Sequence, residues 1–398
     1  MMPRDTLMNE MRRNDDTMKI RCWYQKKINS NSLTIKIKNL INMNITKHFC
    51  IGFLCLLNVV AKAQTFQIDT FLQHQMKEYH IPAVSAAIID NGKIVITKVY
   101  GKANVEYNIP CTKGTAFQLA SVTKLISATA IMMLVQEGKL ELNKNVRYYL
   151  PQLPETWEDM KVIDLLAHQS GIVDLLAFQY NFSSLKNALD TATARPLDFA
   201  PGTKTVYAGG DYAVVMKLVE EISGMPFQQF LNENLLKKLG MTHTVFNNME
   251  QDFIYRTYDT IPYAATVYKW DNEKEQQRIF SMMFPSWTYA AGGLFSSVED
   301  LSKWAVALDN NTVLQPGIEE QMWSAAKLRD GKDSPFGVGW IVADYNGEKA
   351  TGHSGGPALA DIVRLPNRKI TVIVLTNQLE LRPFLTMKVL DLYMKYKK

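Results

Sequence analysis

A serine and a lysine three residues apart stand at the start of an apolar segment in FQLASVTKLISATAIMMLVQEGKL, Phe117 to Leu140. Residues i and i+3 share one face of a helix, so the Lys124 side chain is expected beside the Ser121 hydroxyl. Apolar surroundings favour the neutral amine of a lysine, which can then accept a proton from a serine. The Ser121 N–H at the helix N-terminus is also a candidate donor to an oxyanion. The alternative is a capping serine and a solvated lysine in the first turn.

Spacing alone does not single out this pair. Ser-x-x-Lys occurs again at Ser183 with Lys186 and at Ser324 with Lys327. Only the first occurrence opens a long apolar run, LISATAIMMLV, which would draw the lysine out of water. Further residues elsewhere in the chain are therefore needed to support a catalytic interpretation.

Two later stretches supply residue types suited to the same chemistry. Tyr207 lies in PGTKTVYAGGDYAVV, between a Pro-Gly turn and a glycine pair, which predicts a loop position. His353 begins the run His-Ser-Gly-Gly in TGHSGGPALADIVRLP, at the edge of a predicted strand. Glycines at such an edge allow a substrate backbone to approach closely. Taken singly, each stretch is more typical of an ordinary loop tyrosine or an ordinary turn than of a site.

In this order the three motifs resemble those of the serine β-lactamase-like superfamily, which includes class C β-lactamases, penicillin-binding DD-peptidases and related esterases. Three further stretches are similar to signatures of that family: VIDLLAHQSGI, LKKLGMTHT and AAGGLFSSVEDLSKW. The resemblance runs from about Phe71 to the C-terminal strands, which is nearly all of the chain after residue 63.

The resemblance implies a catalytic role for each matched position. Ser121 would be the nucleophile that forms an acyl-enzyme, and Lys124 would be its proton partner. Tyr207 matches the tyrosine of the family's Tyr-x-Asn motif and would shuttle protons with Lys124. The oxyanion hole would consist of the Ser121 N–H and the Gly356 N–H. No cofactor and no metal ion are implied.

The resemblance also implies a substrate-binding strand, with two departures from the family pattern. His353, Ser354 and Gly355 match the family's Lys-Thr-Gly, with histidine in place of lysine. An unperturbed histidine is largely neutral near pH 7, which weakens recognition of a substrate carboxylate. Gly209 replaces the asparagine of Tyr-x-Asn, so that no amide side chain is available at this substrate-binding position. His168, within the first additional signature, is expected to be structural.

Strand patterns occur at both ends of the chain that follows residue 63. AVSAAIID and KIVITKVYG flank Asn91-Gly92, a strong signal for a two-residue hairpin. FGVGWIVAD, ALADIVRLP and KITVIVLTN lie near the C-terminus, with a second Asn-Gly pair at Asn346-Gly347. These patterns predict an antiparallel sheet built from both ends.

Helical patterns fill the middle of the chain, from Ser121 to about Leu308. DYAVVMKLVEEISG and FQQFLNENLLKKLG each end at a glycine, Gly224 and Gly240, and SSVEDLSKWAVAL begins with a capping serine, Ser297. The fold class predicted is α+β, with an antiparallel sheet flanked by helices and a large, mostly helical insertion. The alternative of two independent domains has no Pro/Gly/Ser-rich linker to support it.

Charge and cysteine content bear on the location and on partners. The 398-residue chain has a net charge of +5, but residues 1–63 contain 11 Lys and Arg against 4 Asp and Glu. The remainder therefore has a net charge of −2, which removes the main argument for nucleic-acid binding. Cys111 is the only cysteine after residue 63, so no internal disulfide is expected there.

The first 63 residues resemble a targeting segment rather than a domain. FCIGFLCLLNVVA is an apolar run too short to span a bilayer, with Lys47 before it and Ala-Lys-Ala after it. We interpret residues 43–63 as a signal peptide and residues 1–42 as an upstream extension that a misassigned start would explain. Residues 64–398 would form the hydrolase domain, secreted or periplasmic. The alternative is a segment retained as a membrane anchor.

The sequence therefore predicts a serine hydrolase acting on a small molecule or a peptide with an ester or amide bond. Peptidase, esterase and weak β-lactamase activities stay open, with the first two favoured by Gly209 and His353. A catalytically silent module that binds a peptide or the cell wall on the same fold is the alternative. The oligomeric state does not follow from the sequence.

Overall fold

Strands from the two ends of the chain lie side by side in one antiparallel sheet of seven strands. The computed structural model describes residues 66–175, 182, 184–251, 256–281, 284–356, 360–379 and 385–397, without the side chains of 249–251 and 256. The strands of the sheet follow one another in the spatial order β11-β12-β13-β14-β1-β2-β3. Their bounds are β1 Ala83–Asp90, β2 Lys93–Asn104, β3 Ile109–Pro110, β11 Ile341–Tyr345, β12 Glu348–Gly355, β13 Ala360–Leu365 and β14 Ile370–Thr376.

Both Asn-Gly pairs form the predicted hairpin turns. Asn91 and Gly92 have φ values of 49° and 71°, and Asn346 and Gly347 have values of 51° and 84°. Two successive positive φ values match the right-handed twist of the strands that the turn joins. The first turn joins β1 to β2, and the second joins β11 to β12. Of β12, the sequence analysis had assigned only the part that contains His353 to the edge of a strand.

The sheet is covered by helices on both faces. Alternate residues of β1 divide between the faces, so that Ala83 and Ala87 pack with the large core cluster and Val84 and Ile88 with the smaller one. The large cluster includes buried residues of α2 and α9, and the smaller one includes residues of α1 and α11. The helices are α1 66–78, α2 Thr123–Gln136, α3 Val146–Tyr149, α4 Val162–Leu166, α5 Leu185–Thr193, α6 Gly209–Ser223, α7 Phe227–Leu231, α8 Tyr289–Gly292, α9 Val298–Asp309, α10 Ile318–Met322 and α11 Leu385–Met394. The predicted fold class is confirmed.

The helix ends at the middle of the chain follow the sequence signals in two cases. Gly224 ends α6 in the left-handed conformation, with a φ of 69°. The Ser297 side chain accepts a hydrogen bond from the Asp300 N–H at the start of α9. The pattern FQQFLNENLLKKLG does not form a single helix, because α7 is followed by a π-helical turn at Asn232–Leu236 and by a turn that ends at Gly240.

The middle of the chain also contains strands that the sequence analysis did not predict. A three-stranded sheet has the order β4-β10-β5, and the pairs β6-β7 and β8-β9 form two small hairpins. Each strand has two to four residues, too few for an alternating pattern to stand out in the sequence. Their bounds are β4 Phe117–Gln118, β5 Val245–Phe246, β6 Met249–Gln251, β7 Arg256–Tyr258, β8 Tyr268–Asp271, β9 Gln276–Ile279 and β10 Leu294–Ser296.

The predicted strand FGVGWIVAD is shorter than its apolar pattern. β11 begins only at Ile341, and the preceding residues form turns against the buried helix α2. A Cβ on Gly339 would lie 2.9 Å from the Ala128 Cβ, and Gly339 has a φ of 74°. Close packing of this turn on α2 therefore replaces strand pairing over residues 337–340.

The predicted signal peptide and its cleavage site before Gln64 lie outside the described residues. Within the described ranges, no helix combines the length and the apolar character needed to cross a bilayer. Processing of the first 63 residues thus stays a prediction.

Candidate active site

Ser121 lies in a single 3-10 turn, Ala120–Val122, that leads directly into α2. The preceding residue, Ala120, is buried and has a φ of 46°, a conformation that costs a non-glycine residue on the order of 1–3 kcal/mol. Two neighbouring strands hold this turn. The Leu119 N–H donates to the Leu294 carbonyl of β10 at 2.9 Å, and the end of β12 packs against its other side.

Gly355 makes that second contact possible. A Cβ at this position would lie 1.9 Å from the Leu119 carbonyl oxygen, a distance that no side chain tolerates. The glycine thus brings the end of β12 within van der Waals distance of the turn that carries Ser121. The sequence analysis explained Gly355 by the approach of a substrate, and the structure shows in addition an approach of the protein's own backbone.

Lys124 is buried, with only 2% of its surface exposed. Its Nζ donates a hydrogen bond to the Ala291 carbonyl at 2.8 Å, and Ser127, one turn later, donates to the Ala290 carbonyl at 2.8 Å. These carbonyls belong to the last residues of the one-turn helix α8, whose carbonyl groups lack partners within the helix. The structure excludes the alternative of a solvated lysine.

The Tyr207 hydroxyl donates a hydrogen bond to the Ser121 Oγ at 2.9 Å, although 86 residues separate the two in the sequence. Tyr207 lies in the predicted loop, immediately before α6, and is 40% exposed. The Lys124 Nζ lies 4.9 Å from the centre of the Tyr207 ring. The structure therefore brings the three predicted catalytic residues together.

His353 is a buried neighbour of the same group, with 5% of its surface exposed. Its ring centre lies 6.1 Å from that of Tyr207, and its Nδ1 lies 2.7 Å from the Ser354 carbonyl oxygen. Burial, and secondarily the charge of Lys124, lowers the pKa of His353 to about 3. The imidazole is therefore neutral throughout the neutral pH range.

Ser354 has a partner on the neighbouring strand. Its hydroxyl donates to the Asp361 carboxyl at 2.7 Å, and Asp361 also accepts a hydrogen bond from Thr386 of α11. Burial raises the pKa of Asp361 to about 6. The Ser354 hydroxyl thus contributes to packing between β12, β13 and α11, and its predicted contact with substrate stays a prediction.

The two remaining predicted site residues are glycines at the ends of elements. Gly356, the predicted second oxyanion donor, follows β12 in a turn with a φ of 58°. Gly209 is the first residue of α6, and its N–H donates to the Asp174 carboxylate at 3.0 Å. The position that is asparagine in the family motif is therefore a helix start here.

Sequence analysis missed a buried polar cluster behind Tyr207. The His168 Nδ1 lies 2.7 Å from the Asp211 Oδ2, and the Ser170 hydroxyl donates to the other oxygen of the same carboxyl. Tyr212 also lies next to Lys124, with 5.0 Å between the Lys124 Nζ and the centre of the Tyr212 ring. An aspartate directly before the apolar run of α6, in DYAVVM, was the available signal in the sequence.

The lysines of the other two Ser-x-x-Lys sequences have ordinary surface environments. Lys186 pairs with Asp190 at 2.6 Å with 80% of its side chain exposed, and Lys327 pairs with Asp333 at 2.5 Å with 64% exposed. Among the residues that the structure describes, no three histidine, cysteine or carboxylate side chains are grouped so as to hold a metal ion. The Ser121 hydroxyl, the buried Lys124 amine and the Tyr207 phenol are the candidate reactive groups at this site.

Comparison with known proteins agrees with this geometry. The Beta-lactamase family matches residues 68–392. The chain belongs to this family. The resemblance to the serine β-lactamase-like superfamily, predicted from the sequence, is thereby confirmed.

Individual members of the Beta-lactamase family are distant. Protein flp of Staphylococcus aureus strain MW2 is 25% identical over 323 residues, covering 78% of this chain and 62% of that protein. The putative penicillin-binding protein PbpX of Bacillus subtilis strain 168 is 28% identical over 287 residues, covering 71% of this chain and 69% of that protein. The octameric penicillin-binding protein homologue from Pyrococcus abyssi is 28% identical with a TM-score of 0.69, covering 83% and 77% of the two chains. The chain thus spans less than two thirds of the length of flp.

Proposed function

We propose that this protein hydrolyses ester or amide bonds through an acyl-enzyme formed on Ser121. The hydrogen bond from Tyr207 to the Ser121 Oγ, beside a buried lysine, is the observation that carries the proposal. Tyr207 therefore contacts the nucleophile through its hydroxyl and lies with its ring centre 4.9 Å from the Lys124 Nζ, which supports a role for all three groups in proton transfer. A binding module would not need a buried amine at this place, where burial of a charge is costly.

The reaction needs two proton movements. As the Ser121 Oγ attacks the acyl carbon, its proton passes to the Tyr207 oxygen, whose own proton passes to the Lys124 amine. The same path then returns a proton to the leaving group as its bond to the acyl carbon breaks. Water cleaves the ester on Ser121 by the reverse use of these groups. The N–H groups of Ser121 and Gly356 are proposed to stabilise the oxyanion in both steps.

We further propose that the preferred substrates have no free carboxylate facing His353. This imidazole is neutral because its pKa is lowered to about 3, so it cannot form the ion pair that a lysine at this position would offer. Esters and neutral peptide bonds fit such a site better than β-lactams or peptides that end in a carboxylate.

Two thioesters of one acyl group, with thioglycolate and methyl thioglycolate as leaving groups, test this preference. We expect a higher kcat/KM for the methyl ester and a ratio of the two values that is constant from pH 5 to 8. The ratio should stay constant because the pKa of His353 is lowered: this histidine gains its charge only near pH 3, below the range tested. An unperturbed histidine would titrate near 6.5, within that range.

The variant His353→Lys provides the matched comparison. It should raise the relative kcat/KM of the carboxylate thioester about tenfold, as one added charged contact of about 1.4 kcal/mol predicts. A wild-type protein that prefers the carboxylate, or a ratio that titrates near pH 6.5, would show that the assignment of His353 is wrong. Adduct formation on Ser121, measured by mass spectrometry, is independent of this outcome.

We also propose that the protein is exported and acts outside the cytoplasm on a small molecule or a peptide, with no nucleic-acid partner. The support is the apolar run before Ala-Lys-Ala and the net charge of −2 after residue 63. N-terminal sequencing of the exported protein should find Gln64 or a residue within a few positions of it. An intact Met1 or Met43 would contradict cleavage.

A further inference from the structure

We propose that His168, held by Asp211, is a positioning residue that fixes the Tyr207 ring so that its hydroxyl reaches Ser121. The inference rests on the proposed function, because it assigns a role within the same proton path. The sequence analysis assigned His168 a structural role only. Three contacts of His168 with the Tyr207 loop point to the more specific role.

His168 contacts three successive residues of that loop. Its carbonyl accepts a hydrogen bond from the Val206 N–H at 2.8 Å, and its Nδ1 lies 3.4 Å from the Ala208 nitrogen. The ring of the residue between them, Tyr207, lies on the imidazole with 4.3 Å between the ring centres. The rings of Phe336 and His353 are each 6.1 Å from Tyr207. The imidazole is therefore the nearest of these aromatic supports.

Asp211 sets the rotation of the imidazole. Its carboxyl is fully buried at the start of α6, and the described groups bonded to it are His168 and Ser170. Burying a carboxyl without hydrogen-bond partners costs free energy, so the Asp211 carboxyl is stabilised only while His168 and Ser170 are oriented toward it. This requirement fixes the orientation of the imidazole. The Ser170 hydroxyl in turn accepts the Ile172 N–H at 2.9 Å, which ties the cluster to the backbone.

The cluster places no additional charge beside Lys124. Burial raises the pKa of Asp211 well above its usual range, and burial lowers the pKa of His168 to about 3. Both directions favour the uncharged forms, in which the carboxyl donates to Nδ1 at 2.7 Å while the Ala208 nitrogen lies 3.4 Å from the same atom. Tyr207 thus rests on an uncharged ring whose orientation is fixed by hydrogen bonds.

Substitution of Asp211 separates hydrogen bonding from packing. Asp211→Asn keeps a donor toward Nδ1 and an acceptor for Ser170, so its kcat should stay within about threefold of wild type. Asp211→Leu keeps the volume but loses both bonds and should lower kcat about 10- to 100-fold, the effect of a misplacement of about 1 Å. Equal losses in the two variants would overturn an action of Asp211 through His168.

The decisive experiment is a double-mutant cycle between His168→Asn and Tyr207→Phe. Asparagine tolerates the φ of 56° at residue 168 and removes the ring on which Tyr207 lies, so this variant is expected to fold. We expect kcat to fall about 10- to 100-fold with KM within twofold, and the rate of Ser121 labelling by a fluorophosphonate to fall by the same factor. In the Tyr207→Phe background His168→Asn should have no further effect.

Two controls make the result specific. His74→Asn, on the exposed face of α1, should leave kcat unchanged. A loss from His168→Asn that is equally large with and without the Tyr207 hydroxyl, or no loss at all, would overturn the proposal. A Tyr207→Phe variant as active as wild type would instead contradict the proposed function, so the two failures are distinguishable.

Discussion

Replacing Ser121 by alanine should abolish covalent labelling by a fluorophosphonate, and replacing Lys124 by methionine should lower kcat/KM on the order of 10⁴-fold or more. The first change removes the only oxygen that the mechanism acylates. The second removes the amine that accepts the proton, while methionine retains most of the buried volume of the lysine stem. Adduct mass and initial rates on an activated ester measure the two effects.

The choice of methionine follows from the structure. Lys124 is almost fully buried, so alanine would leave a cavity and confuse loss of stability with loss of catalysis. Lys186→Ala and Lys327→Ala are the matched controls, because both lysines are exposed members of Ser-x-x-Lys sequences. Each should change the free energy of unfolding by less than about 1 kcal/mol and leave turnover intact. Wild-type turnover by Lys124→Met would be incompatible with the mechanism.

The same pair of variants decides between an enzyme and a silent binding module. A module on this fold would bind its ligand with Ser121 unlabelled by any acylating or phosphonylating probe. Rapid labelling that depends on both Ser121 and Lys124 is expected of an enzyme alone.

Tyr207→Phe should lower kcat about 10²- to 10⁴-fold, the usual range for a group that transfers a proton. Phenylalanine preserves the contacts of the ring with His168 and with the Lys124 Nζ. The change removes only the hydroxyl that donates to Ser121. The fold should therefore be unaffected, and thermal unfolding should show a Tm close to that of wild type. Burst kinetics on an activated ester would show whether acylation or deacylation carries the loss.

Combining Tyr207→Phe with Lys124→Met should be little worse than the poorer single variant, because residues on one proton path do not act additively. Tyr148→Phe, a change of the same kind at an exposed ring, controls for the substitution itself and should have no effect. Multiplying losses in the double variant would mean that Tyr207 and Lys124 act independently of one another.

Much of the fold followed from local patterns. The Asn-Gly pairs, the Gly224 helix end and the Ser297 cap depend on neighbours within a few residues, so the sequence displays them directly. The strands of two to four residues between β4 and β10, and the turn at Gly339, depend on packing against distant elements. Their sequences contain no periodic pattern long enough to recognise.

The candidates for the chemistry were recognisable before the structure was known: Ser121 and Lys124 by their spacing before an apolar run, and Tyr207 and His353 by the resemblance of the ordered motifs to a known family. The arrangement of these side chains depends on tertiary packing. Lys124 is held by the carbonyl of Ala291, which is 167 residues away, and the Tyr207 ring lies on His168, a residue of another segment that Asp211 holds. Burial and orientation arise where chain segments meet, and they determine which groups are charged, because desolvation is a property of the surroundings and not of the residue type.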